Sequence, residues 1–175
     1  LADEIYDKIL YDAAQHTVDL AALERARMEH VTNGFAATKE ELSKYDSDFL
    51  MSVAYVTFQE RATRVSHRNT GKVCADPIAD RLLGRIAADE NLHMIFYRNM
   101  MSATLEVAPD EAMCAIRDVV LDFKMAGHDI PGFQRKAVQI AVEGIYDLRQ
   151  HKDEVLMPVL RHWKVFERTD LGPEG

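Results

Sequence analysis

Apolar side chains recur along most of this chain at three- and four-residue spacing, with little strict alternation, a pattern that predicts helices and no sheet. Ile5, Ile9, Leu10 and Ala13 mark a first helix over residues 1–15. Thr17 to Asp19 can cap a second, carried by Leu20, Leu23, Arg27 and Val31 and stopped by Asn33-Gly34. Thr38 with Glu41 fits a capping box for a short turn. A long helical pattern follows over 47–73. Asp76-Pro77 then supplies an N-cap and a proline whose fixed φ and missing N–H suit a first turn, predicting a helix over 77–106. Pro109, followed by Asp110 and Glu111, opens another, which Gly127 is expected to close. Pro131 starts a helix over 131–145, and Asp147 caps a last one along Val155, Leu156, Val159, Leu160 and Trp163. Pro158 lies inside that last helix and should bend or break it. Residues 171–175 read as a frayed tail.

The expected organisation is one all-α domain over 1–175, with no repeat or linker. A length of 175 residues, 47% of them hydrophobic, is enough to fill one core. The 29 acidic against 21 basic side chains give a net charge of -8, which argues against a protein that grips phosphate backbones. No apolar run approaches the roughly 20 residues of a spanning helix, and the first residues lack the order of a signal peptide. A soluble, cytoplasmic chain with no membrane span is the expectation. Cys74 and Cys114 form no C-x-x-C and read as buried thiols. Leu1 is an abrupt start, in the middle of a helical pattern.

Polar groups crowd into apolar sequence at two places, Phe58 to Thr63 and Ala87 to His93. Glu90 and His93 form the one E-x-x-H of the chain, which puts a carboxylate and an imidazole on one helix face. Glu60 lies in similar surroundings, behind Val53, Val56 and Phe58. Burying unpaired carboxylates costs several kcal/mol, and a hard dication offsets that cost. The competing reading pairs Glu60 with Arg64 at i+4 and Glu90 with a basic neighbour, on solvated faces. Both readings stand on spacing alone. His67 shares the face of Glu60 two turns on and reads as a hydrogen-bonding partner more than as a ligand. Thr63 can offer a hydroxyl to a bound oxygen species or bond back to a carbonyl of its own helix. His16, His30, His128, His151 and His162 read as surface residues. Arg61, Arg64, Arg68, Lys72, Arg81, Arg85 and Arg98 read as mostly solvated, although a basic patch on an acidic protein also steers an acidic partner.

The motifs F-Q-E-R-A-T at 58–63, S-H-R-N-T at 66–70 and A-D-E-N-L-H at 88–93 are far more specific than E-x-x-H. Together with Arg135 to Val138 and Asp153 to Leu160, they make the chain resemble the soluble, stearoyl-type acyl-[acyl-carrier-protein] desaturases, the actinobacterial members above all. The resemblance covers nearly the whole chain. It implies a ferritin-like helical bundle around a non-haem di-iron centre, with Glu60 and His93 as terminal ligands of one iron and Glu90 bridging both. Asp89 and His67 would stand behind those ligands, and Thr63 would lie beside the oxygen-binding side. It further implies two Fe as cofactor, an acyl carrier protein delivering the acyl substrate, a ferredoxin-type electron donor, a homodimer, and O2-dependent formation of a cis double bond in fatty acid biosynthesis.

The family's other half-site is a Glu on the first bundle helix and a second E-x-x-H on the next. An ungapped alignment puts that E-x-x-H at Leu1 and Glu4, where Asp3, Glu4 and Asp7 supply carboxylates but no histidine is present. Three of six expected ligands are therefore legible. The chain is the C-terminal portion of a longer desaturase, a half completed by a second chain, or a catalytically incomplete homologue acting as a helical acyl- or ACP-binding module. A di-iron hydroxylase or oxidase on another substrate is a further reading. An exposed apolar face on the two long helices should follow if nothing covers them.

Overall fold

The computed structural model describes residues 49–172, all within the compact unit Lys44–Gly175. The helices expected over 1–15 and 19–31, the Thr38–Glu41 turn, and Asp3, Glu4 and Asp7 lie outside the described residues. Helix α1 (Phe49–Val73) buries Val53, Ala54, Thr57, Phe58, Ala62 and Val65, a stripe at helical spacing. Helix α2 (Pro77–Val107) begins as the sequence predicts: Asp76 accepts hydrogen bonds from the backbone N–H groups of Ile78 and Ala79, at 2.7 and 2.9 Å. A cap of this kind contributes about 1 kcal/mol.

The short link between them makes α1 and α2 an antiparallel hairpin. Arg68 meets Asp80 near the turn, and Glu60 meets His93 about two turns further along. Gly71 allows the close approach at the turn, since a Cβ there would stand 3.2 Å from the Asp80 Cα. Helix α3 (Pro109–Leu121) adds Ala112, Ile116 and Val119 to the same core.

Helix α3 ends at Leu121 and not at Gly127. The chain turns there to carry Phe123 against Tyr55 and His151, and Gly127, at φ +83°, serves a later turn. Helix α4 (Phe133–Val142) starts after Gly132, at φ +81°, two residues beyond the expected Pro131, and stops short of Ile145. Asp147 and Gln150 form a reciprocal capping box at the start of α5 (Leu148–Gln150). That turn runs into a π-helical stretch (His151–Leu156) and on into α6 (Met157–His162), with a 3-10 turn (Val165–Glu167) after it. Pro158 thus goes with a change of register and no break: the Met157 N–H bonds to the Lys152 carbonyl, five residues back. Trp163 seals the core, its ring edge-on to Phe58 at 5.5 Å and its indole N–H donating to the Arg98 carbonyl.

Two smaller expectations are corrected, for the cysteines and for His151. Cys74 is exposed, because it sits in the α1–α2 link outside the apolar stripe, and Cys114 is half-buried. In the tail, the Gly172 N–H is tied to Asp110 Oδ1 at 2.8 Å, and residues 173–175 lie outside the described residues. His151 is half-buried, stacked on Phe123 at 4.7 Å, with Nδ1 2.7 Å from the Tyr146 hydroxyl.

Burial holds the His151 imidazole below its ordinary pKa of 6.5. As pH falls, the unfolded chain therefore takes up this proton before the folded one, and the stability tied to neutral His151 is present above about pH 6.5 and lost below it. Measured from pH 7.5 to 5, the urea midpoint of the parent relative to that of His151→Phe, which keeps the ring stack, should decline below pH 6.5. A difference between the two that does not change with pH contradicts the assignment.

Candidate metal centre

Phe58 and Ala62 are fixed in the core on either side of Glu60, which turns the Glu60 carboxylate toward α2. On α2, Glu90 and His93 are one turn apart and face back. One donor atom from each of Glu60, Glu90 and His93 falls within 4.8 Å of the others, a spacing that suits one metal ion. His93 Nδ1 lies 3.3 Å from Glu60 Oε2 and 3.7 Å from Glu90 Oε2. The Glu60 carboxylate faces this group and so differs from the surface pairing with Arg64.

The remaining candidates sit around the group. His67 Nε2 is 3.7 Å from Glu90 Oε1, so it contacts a carboxylate of the group from behind. The Thr63 hydroxyl bonds back to the Gln59 and Glu60 carbonyls, at 3.1 and 3.0 Å, and secures the turn that carries Glu60. Asp89 points away, to Arg85 at 3.7 Å on the solvent side.

Glu60 and Glu90 are only 16% and 21% exposed. Desolvation, then the hydrogen bond and like charge of Glu90, push the Glu60 carboxyl up to about 7, against a smaller opposing pull from His93. A half-buried carboxyl that resists ionising beside a second half-buried carboxylate is a fit for a hard dication, whose charge would favour the ionised form of Glu60. With the imidazole they form an O,O,N donor set suited to iron or manganese. A Glu on one helix and a Glu-x-x-His on its neighbour is half of the ligand set found in ferritin-like carboxylate-bridged centres. Beside the group, α2 exposes Leu92 and Phe96, at 63% and 59%.

A search against protein families matches residues 4–175 to the fatty acid desaturase family. The chain belongs to that family. It is 49% identical to acyl-[acyl-carrier-protein] desaturase DesA1 of Mycobacterium tuberculosis, over 94% of this chain and 49% of that protein. It is 28% identical to the chloroplastic stearoyl-[acyl-carrier-protein] 9-desaturase of Gossypium hirsutum, over 98% of this chain and 44% of that protein. The fold resembles the X-ray structure of acyl-ACP desaturase DesA2 from Mycobacterium tuberculosis H37Rv. That likeness has a TM-score of 0.64 at 27% identity and covers 69% of this chain and 50% of that one. The described residues are all-helical, as the hydrophobic pattern predicts, and the ferritin-like fold that the resemblance implies is the fold of this desaturase-family chain. The chain spans about half the length of the curated relatives it matches.

Arg61 is the residue whose place the sequence reading missed. It is half-buried, and its Nε donates to the Glu154 carbonyl at 2.6 Å. Burial lowers its pKa, helped by Arg64 and Arg98, with Glu154 acting the other way. The available signal was Pro158, which has no N–H for the carbonyl four residues before it.

Folded Glu60 holds its proton up to about pH 7, against 4.5 when free, so the stability it contributes is present below 4.5 and lost as pH rises through 7. In metal-free protein at pH 8, Glu60→Gln should raise stability, on the order of 1 kcal/mol, seen as a higher melting temperature. Added Mn2+ should raise the melting temperature of the parent and leave that of Glu60→Gln nearly unmoved. Equal Mn2+ shifts in both would contradict the ligand assignment.

Proposed function

We propose that this chain forms part of an acyl-[acyl-carrier-protein] desaturase, with Glu60, Glu90 and His93 as its ligands to a non-haem di-iron centre. The observation that carries the reading is the meeting of two half-buried carboxylates and an imidazole from two helices, in a chain 49% identical to a desaturase of that name. Bound iron would supply the redox chemistry: with O2, two electrons from a ferredoxin-type donor and two protons, two adjacent methylenes lose two hydrogens to give a cis double bond and two waters.

The chain's own residues set the conditions for that chemistry. Glu60 would give up its proton and, with Glu90, hold the cation by charge, while His93 would contribute a ring nitrogen. His67 orients the outer oxygen of Glu90, and Thr63 keeps the Glu60 turn in place. Phe58 and Met94, both buried, keep water from the inner side of the group. On the outside, Arg64, Arg68, Arg85 and Asp89 line one groove between α1 and α2; Arg68 pairs with Asp80 and Arg85 with Asp89, which leaves about one positive charge there to meet an acidic carrier protein. The family also points to a homodimer.

Purified complete protein, supplied with iron, reduced ferredoxin, O2 and acyl-ACP, should yield an unsaturated acyl chain by gas chromatography. Glu90→Ala should lower turnover by at least about a hundredfold while acyl-ACP binding survives. Absence of product, with ACP still bound, favours the incomplete-homologue reading, and a hydroxylated product favours an oxidase of another kind.

A further inference from the structure

The link between α1 and the C-terminal segment depends on a missing hydrogen. In an α-helix, residue 158 would donate its N–H to the carbonyl of Glu154, but Pro158 has none. The π-helical stretch ends just before this proline, and its last register bond joins Met157 to Lys152. The Glu154 carbonyl is taken instead by Arg61 Nε, at 2.6 Å, from across the helix interface. Arg61 directly follows Glu60. Neighbouring residues on a helix point about 100° apart, so one turn of α1 presents a carboxylate to α2 and a guanidinium to the C-terminal segment. Val155 and Trp163 pack that segment into the core beside Phe58, which leaves this turn gripped from two sides.

We propose that Arg61 is a positioning residue for the metal centre: it stands in for the N–H that Pro158 lacks and so fixes the turn of α1 that aims Glu60 at Glu90 and His93. The proposal rests on the metal reading above. It accounts for a half-buried arginine held near Arg64 and Arg98, an arrangement unfavourable in charge unless the carbonyl contact offsets it.

A double-mutant cycle read with Co2+ tests it, because the visible bands of bound Co2+ report ligand geometry as well as affinity. Arg61→Met should weaken Co2+ binding about tenfold and change the band shape. Arg61→Lys, which still reaches the carbonyl as a donor, should restore most of both. Pro158→Ala supplies the missing N–H, and in that background Arg61→Met should cost less than about twofold. Parent-like binding and bands in Arg61→Met, or the same loss with Ala at 158, overturns the positioning role alone. If Arg61→Met does not fold, the double variant decides: a folded, Co2+-binding double variant supports the proposal, and an unfolded one overturns it. No Co2+ binding by the unaltered chain overturns the metal centre and this role together.

Discussion

Two carboxylates that would rather be apart organise this structure. Glu60 and Glu90 come from different helices, both are largely withdrawn from water, and burial followed by the neighbouring Glu90 makes ionisation of Glu60 harder. Such a pair is costly in a helical hairpin whose purpose is only to be stable, because apolar residues of similar volume would serve as well or better. Its presence at the centre of α1 and α2 is intelligible as preparation for a cation. The imidazole of His93 at i+3 from Glu90 completes the donor set without any loop, so ligand positions are set by helix geometry alone.

The rest of the described residues hold that geometry in place. Gly71 lets the hairpin close tightly at its turn, the Asp76 cap fixes where α2 begins, and the Phe58–Trp163 contact packs α1 against the C-terminal segment. Arg61 adds a polar tie on the far side of the same turn as Glu60. On α2, the exposed Leu92 and Phe96 flank His93, among charged positions such as Arg85 and Asp89.

Much of this was legible from residue order because the relevant signals are local. Asp76-Pro77 marks a helix start through two independent steric facts, and Glu90-x-x-His93 is one helix turn by arithmetic. The less legible parts depend on partners distant in sequence. Gly127 looks like a helix stop, but Phe123 has already left the helix to reach Tyr55 and His151. His151 reads as polar surface until Tyr146 and Phe123 enclose it. Pro158 announces a defect in the last helix without saying which carbonyl is left over or that Arg61, 93 positions from Glu154, takes it. That Glu60 faces Glu90 and His93 follows from the rotation of α1 that Phe58 and Ala62 impose, a packing effect no local spacing reveals.

The central claim is that Glu60, Glu90 and His93 together bind a metal ion. Diffraction from crystals grown with ferrous iron, recorded on both sides of the iron absorption edge, tests it most directly. An anomalous peak within about 2.3 Å of a carboxylate oxygen from each glutamate and a nitrogen of His93 is the predicted result. Iron bound elsewhere, or a Glu60–Glu90 pair that stays hydrogen-bonded with no peak between them, would contradict it.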